Sequence, residues 1–277
     1  MRRGRRSKNR GSKDEASATL LAAPIQSPRR IAVVGLKGGT GKTTLAVALA
    51  MTYARARGEN ILLFDADTRH GSLPLRTGVL PVASAHDMAA TGDPGRVEIL
   101  AGSLGRSREG VWVMPSGRTA AQSAEMDERV YTGAMNAVYR HFPITITDCG
   151  AGVATPLMQR VLSGCHCLVL ATTANADGVL TTESAVDWMQ RMGYVELVKR
   201  SIVVLTNVVA KGPGLSLEDA RRRFASSCAA VLAVPADRHL ALGSALDLDR
   251  LAPPTRTAFT QLAAAALGAA LGAELSA

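Results

Sequence analysis

The chain predicts an α/β fold: a mostly parallel central sheet with helices on both faces. Seven short apolar runs recur along its 277 residues without polar alternation, the pattern of strands buried on both faces. Helical stretches separate most of them, as in successive βαβ units. A glycine-rich loop stands between the first strand and the first long helix. With 47% hydrophobic and 20% charged residues the chain can bury one large core, and no internal repeat points to a second.

Taken in order, residues 1–30 hold nine Lys/Arg against Asp14 and Glu15, a net charge of +7 out of +9 for the whole chain. This composition predicts a disordered basic tail over 1–30, followed by one domain over 31–277. The expected strands are Ile31–Gly35, Ile61–Phe64, Val111–Met114, Ile144–Thr147, Cys167–Ala171, Ser201–Leu205 and Ala230–Val234. The expected helices are Leu45–Ala56, Ala121–His141, Asp177–Met192 and Leu217–Cys228, with a last one through Phe259–Leu271. Thr119-x-x-Gln122 reads as a capping box opening the second. Leu75–Gly110, rich in Gly, Pro and polar residues, reads as an insertion with a short helix and room for a strand.

The loop carries the chemistry. Lys37-Gly38-Gly39-Thr40-Gly41-Lys42-Thr43-Thr44 follows the first strand and opens the first helix. Backbone N–H groups converging on such a loop, together with the helix N-terminus, make an anion site. A P-loop places Lys42 on the β- and γ-phosphates of ATP and the Thr43 hydroxyl on Mg²⁺. The glycine expected five residues before Gly41 is replaced by Leu36, and a second lysine, Lys37, precedes the glycines.

That block resembles the deviant Walker A motif of the ParA/MinD family of dimeric ATPases. The resemblance implies that Lys37 crosses a homodimer interface formed with ATP and touches the partner's nucleotide, a cation acting in trans like an arginine finger. Ile61–Asp67 ends in Asp65 and Asp67, two carboxylates at i,i+2 on one strand face. By the same resemblance Asp67 positions the attacking water and Asp65 lies near the Mg²⁺ shell. Ile144–Gly150 resembles a Walker B strand, with Asp148 holding Mg²⁺ through water and Gly150 in the loop that senses the γ-phosphate. Asn207, ending the Ser201–Asn207 run, corresponds to an adenine contact. Val234-Pro235-Ala236-Asp237 resembles the loop closing over the base, which nominates Pro235 and Asp237. The resemblance covers about Ile31 to Leu271. A finer one rests on Thr147–Gly150, Ala176-Asp177-Gly178, Asp187-Trp188 and Pro235–Leu240. These segments are similar to ParA/MinD-like ATPases associated with actinobacterial type VII (ESX) secretion.

The implied function is a slow Mg²⁺-dependent ATPase, stimulated by an unidentified protein partner. It would work as an ATP-driven dimerisation switch in spatial organisation, partitioning or secretion-system regulation, in the cytoplasm. Two rivals stand beside it: an ATP-dependent ligase of the dethiobiotin synthetase type, and an adaptor that holds nucleotide without turning it over. The basic tail suits either non-specific binding to DNA or acidic lipid, or a solvated tether. Arg191, Lys199, Arg200, Lys211 and Arg221-Arg222-Arg223 are candidates for a DNA-facing patch, with ordinary surface arginines as the other reading. The C-terminal apolar stretch lacks basic residues after Arg256 and is too short to span a bilayer, so stable membrane insertion is not expected. Cys165-His166-Cys167 offers a metal-like spacing, but its entry into an apolar strand favours buried thiols, with both cysteines on one face and His166 on the other.

Overall fold

The computed structural model describes residues 15–69, 71–80, 82–208 and 216–272. A helix, α1, covers residues 15–21, and β1 (Arg29–Gly35) leads through the glycine loop into α2 (Lys42–Arg57) and β2 (Ile61–Ala66). Three short helices follow, α3 (Leu73–Thr77), α4 (Ala85–Thr91) and α5 (Val97–Leu100), then β3 (Gly105–Arg106) and β4 (Val111–Met114). The chain continues through α6 (Ala120–Ala124), α7 (Glu128–Val138), β5 (Ile144–Ala151), α8 (Pro156–Gly164) and β6 (Cys167–Thr173). Its last part holds α9 (Ala176–Arg191), α10 (Val195–Lys199), β7 (Ser201–Val208), α11 (Leu217–Phe224), β8 (Ala230–Pro235), α12 (Arg238–Ala241) and α13 (Pro253–Leu271).

The strands form one eight-stranded sheet in the order β3-β4-β2-β5-β1-β6-β7-β8. Every pairing is parallel except β3 with β4. The seven expected strands are all present, and β3 is the additional one, an antiparallel edge inside the insertion. The lack of alternation has a direct cause in β1. Ala32 and Val34 pack into one core with α7, α8 and α9, while Ile31 and Val33 pack into the other with α2 and α13. From β1 the chain leaves to one side for β2, and from β5 it crosses to the other for β6. The glycine loop therefore sits at the switch point, where an open α/β sheet has its crevice.

Several expectations are corrected. The ordered body begins ahead of residue 31. In α1 Ser17 and Leu21 are buried, and the Arg57 guanidinium donates to the carbonyls of Leu21 (a short contact) and Ala23, at 2.9 Å for the latter. The first fourteen residues lie outside the described residues. The helix expected over Ala121–His141 is two, because Asp127 accepts from the N–H groups of Arg129 and Val130 and starts α7 anew. Only half of the capping box forms: Thr119 Oγ1 accepts from Gln122 N, but Gln122 Oε1 accepts from Arg118 N instead of Thr119 N. Cys165 and Cys167 do not share a face. β6 starts at Cys167, whose thiol lies in the α2–α13 core, while Cys165 precedes the strand and packs against the opposite core. His166 Nδ1 accepts from Arg30 N at 3.1 Å. Burial and the charges of Arg29, Arg30 and Arg200 push its imidazole down to about 4. All four cysteines are free.

Candidate functional site

Gly39 and Gly41 hold φ of 77° and 82°, a region that costs any residue with a Cβ. Gly41 is the N-cap of α2, so no side chain occupies that helix end and its N–H groups point to the loop's concavity. Gly35 permits the closest approach: a Cβ there would lie 2.3 Å from Thr40 Oγ1 and 2.8 Å from Lys42 Cγ. The loop is strapped to neighbouring strands by Thr206, whose hydroxyl lies 3.0 Å from the Thr40 carbonyl oxygen and 3.2 Å from that of Thr172. Thr40 and Lys42 are buried in this cradle.

Asp65 and Asp148 are register partners on β2 and β5, and both are buried. Asp65 Oδ1 accepts from Asp67 N at 2.9 Å, but Asp65 Oδ2 and Asp148 Oδ1 have no hydrogen-bond partner. Burial, with the Asp148 charge added, raises the Asp65 carboxyl well above its ordinary range. Burial likewise brings Asp148 up to about 7, although the Thr43 hydroxyl and the Lys42 ammonium pull it down. Two orphaned buried carboxylate oxygens beside a hydroxyl fit a hard divalent cation that takes its remaining ligands from phosphate and water. Among the described residues no group of three His, Cys, Asp and Glu side chains is arranged to hold a metal, and Cys165 and Cys167 lie in opposite cores.

Asp67 lies beside the end of β5 and the loop that leaves it: a Cβ built on Gly150 would be 3.5 Å from Asp67 Oδ1. That oxygen also accepts from Arg69 N at 3.0 Å. Gly152 N donates to Gly35 O at 3.2 Å and ties this loop to the end of β1. Lys37 stands apart from Lys42 at the rim, where its Nζ is 2.5 Å from Asp177 Oδ2 in the first turn of α9.

Asn207 and Pro235 come together, since Val208 pairs with Pro235 and Ala236 N donates to Val208 O at 3.0 Å. Asn207 has φ 55°, the one positive value among described non-glycine residues, and it coincides with an irregularity in the β7–β8 register. Asp237 stands at the end of the same loop. Its carboxylate caps α12 through His239 N and accepts from Ala252 N at 2.9 Å, so both oxygens serve the backbone. Three contributors were not singled out from sequence: Thr206, Ser72 (Oγ 3.5 Å from Thr43 Oγ1) and Gly71, where a Cβ would sit 2.9 Å from Asp65 Oδ2. Only the Gly-Ser pair following the Asp65–Asp67 strand hinted at the latter two.

Most arginines of the candidate DNA patch already face carboxylates. Arg221 lies 3.8 Å from Glu218, Arg223 lies 3.1 Å from Glu183, and Arg222 pairs with Asp219. Lys199 pairs with Glu196 at 2.8 Å, and Lys211 is outside the described residues. Among the described residues no helix is long and apolar enough to cross a membrane.

A family model described as the CobQ/CobB/MinD/ParA nucleotide binding domain matches residues 31–221. The chain is 32% identical over 260 residues to the ESX-1 secretion-associated protein EspI of Mycobacterium tuberculosis. That alignment covers 92% of this chain but only 39% of the relative's length. Among solved structures, a ParA family ATPase from Chlorobium tepidum superposes with a TM-score of 0.71 at 16% identity, covering 86% of this chain and 98% of that one. MinD of Pyrococcus horikoshii, solved with Mg-ADP, gives 0.68 at 20% identity, covering 85% and 94%.

Proposed function

From the premise that the chain belongs to the CobQ/CobB/MinD/ParA nucleotide-binding family, we propose that it is a Mg²⁺-dependent ATPase whose ATP state is a homodimer. The observation carrying this reading is the division of labour between two lysines: Lys42 buried in the cradle, Lys37 at its rim and half-exposed. A buried lysine beside the loop serves its own nucleotide. A second one at the rim is placed to serve a nucleotide brought by another copy.

In this reading the backbone of Gly38–Thr44 cradles the phosphates, and Lys42 balances charge on the β- and γ-oxygens. Thr43 and Asp148 would hold Mg²⁺, with Asp65 beside them, and the ion supplies charge neutralisation on the phosphates. Asp67 orients the attacking water near Gly150, and Lys37 of the other copy meets charge developing on the γ-phosphate. Asn207 and Pro235 flank the base. The Asp237 carboxylate, committed to backbone N–H groups, holds their loop in shape instead of reading the base. Contacts to the γ-phosphate favour the dimer, so hydrolysis releases it, and a protein partner accelerates a slow turnover. Similarity to a secretion-associated relative supports regulation of a secretion system in the cytoplasm as the output.

The test is solution mass by light scattering of the Asp67→Ala chain. A dimer with Mg·ATP and a monomer with Mg·ADP is the expected result. A monomer with both, at saturating nucleotide, would favour the ligase or adaptor reading.

A further inference from the structure

The stretch between α12 and α13 runs from one end of the candidate site to the other. It starts from the loop after β8, beside Asn207 and Pro235, where Ala236 N and the Asp237 carboxylate are fixed by backbone bonds. At its far side Leu246 N donates to Arg76 O of α3 at 2.8 Å, and a Cβ on Gly78 would lie 3.6 Å from Ala245 Cβ. Leu246 is buried in the same core as Leu73 and Val79, at the two ends of α3. Ser72 is the N-cap of α3, and its Oγ is 3.5 Å from Thr43 Oγ1. The preceding Gly71 packs against Asp65 Oδ2.

One side chain pins this strap. His239 is 8% exposed, and its Nε2 accepts from Asp247 N at 2.9 Å. Accepting there puts the ring proton on Nδ1, which is buried without a partner. An orphaned buried donor costs the fold stability, and a leucine would fill the same space without that cost. The middle of the strap has few other anchors. Leu242 is 63% exposed, Gly243 takes φ 72°, and Ser244 O receives one long bond, 3.4 Å, from Arg76 Nη1.

We propose that His239 is a positioning residue that couples the two ends of the nucleotide site. Through the strap, a base seated at Asn207 and Pro235 sets α3, and with it the corner of Thr43 and Asp65 where the cation would sit. The inference rests on the placement of base and Mg²⁺ given above. Its links are consecutive: the loop after β8 carries His239, His239 holds Asp247, and the adjoining Leu246 holds α3, without passing through the sheet. By linkage the effect is reciprocal, so bound metal also tightens the hold on the base.

The experiment compares ATP with ribose 5′-triphosphate, which keeps the phosphates and lacks the base, by titration calorimetry with and without Mg²⁺. In wild type, Mg²⁺ is expected to strengthen binding of ATP by a factor about fivefold larger than for ribose 5′-triphosphate. In His239→Leu the two factors should become equal. His239→Gln, which keeps an acceptor for Asp247 N, should restore the difference. Hydrogen exchange in wild type gives a reading independent of any variant: the Leu246 and Asp247 amides should slow more with Mg·ATP than with Mg·ribose 5′-triphosphate. Equal Mg²⁺ factors in wild type, with ATP the tighter ligand, overturn the coupling. A difference that survives in a His239→Leu chain of normal thermal melting overturns the part given to His239. Equal affinity for the two ligands under all conditions instead overturns the base placement on which the inference stands.

Discussion

Asp148 gives the site its pH signature. In an unfolded chain its carboxyl ionises near the ordinary value of about 4, whereas in the fold it keeps its proton up to about 7. Between those values the folded state binds more protons, so unfolding free energy falls as pH rises across the window. The loss in the metal-free chain is on the order of 2–4 kcal/mol. Urea unfolding at pH 5 and pH 7.5 should show it, and Asp148→Asn should flatten the slope. Equal slopes in the two chains would refute the assignment. At this scale the candidates that the fold brings together were nameable from residue type: the cradle glycines, Lys42, Thr43, Asp65 and Asp148. Thr206 and Asp177 were not readable as site residues, because a threonine ending a strand and an aspartate opening a helix are ordinary in both places. Its local role also hid Asp237, whose carboxylate is an N-cap.

Strands were more legible than helices. A strand buried on both faces needs an unbroken apolar run, so each run announced itself and β3, two residues long, was the one left open. Helix ends depend on single caps, which a polar segment hides. The break between α6 and α7 turns on Asp127, which accepts at 2.9 and 2.8 Å from Arg129 N and Val130 N. Asp127→Ala should lower stability by about 1 kcal/mol, read from the urea midpoint at constant slope. No loss would mean that packing of Tyr131, Ala134 and Met135 alone defines the start of α7.

The whole molecule closes around the sheet from one side with α2 and α13, whose small residues allow close approach. Tyr53 Oη donates to Ala263 O at 2.6 Å across that contact. α1 is braced against the same side by Arg57, whose side chain is almost fully buried and also pairs with Glu59 at 2.9 Å. Arg57→Ala should speed chymotryptic cleavage near Leu20 and Leu21 and lower stability by about 1–3 kcal/mol. Cleavage at the wild-type rate would show that Leu21 packing suffices. The amino-acid order by itself determined the α/β class, the seven core strands, the phosphate loop and the carboxylates at the ends of β2 and β5. These follow from local rules: strand burial demands apolar runs, phosphate demands glycine and lysine, and a divalent cation demands acid. Tertiary structure alone decided that Asp65 and Asp148 face each other with orphaned oxygens, that Thr206 straps the loop, that α1 belongs to the body, and that Asp177 holds Lys37. Each of those joins residues 36 to 166 positions apart, and no local rule says which distant strand or helix a folded sheet will bring alongside.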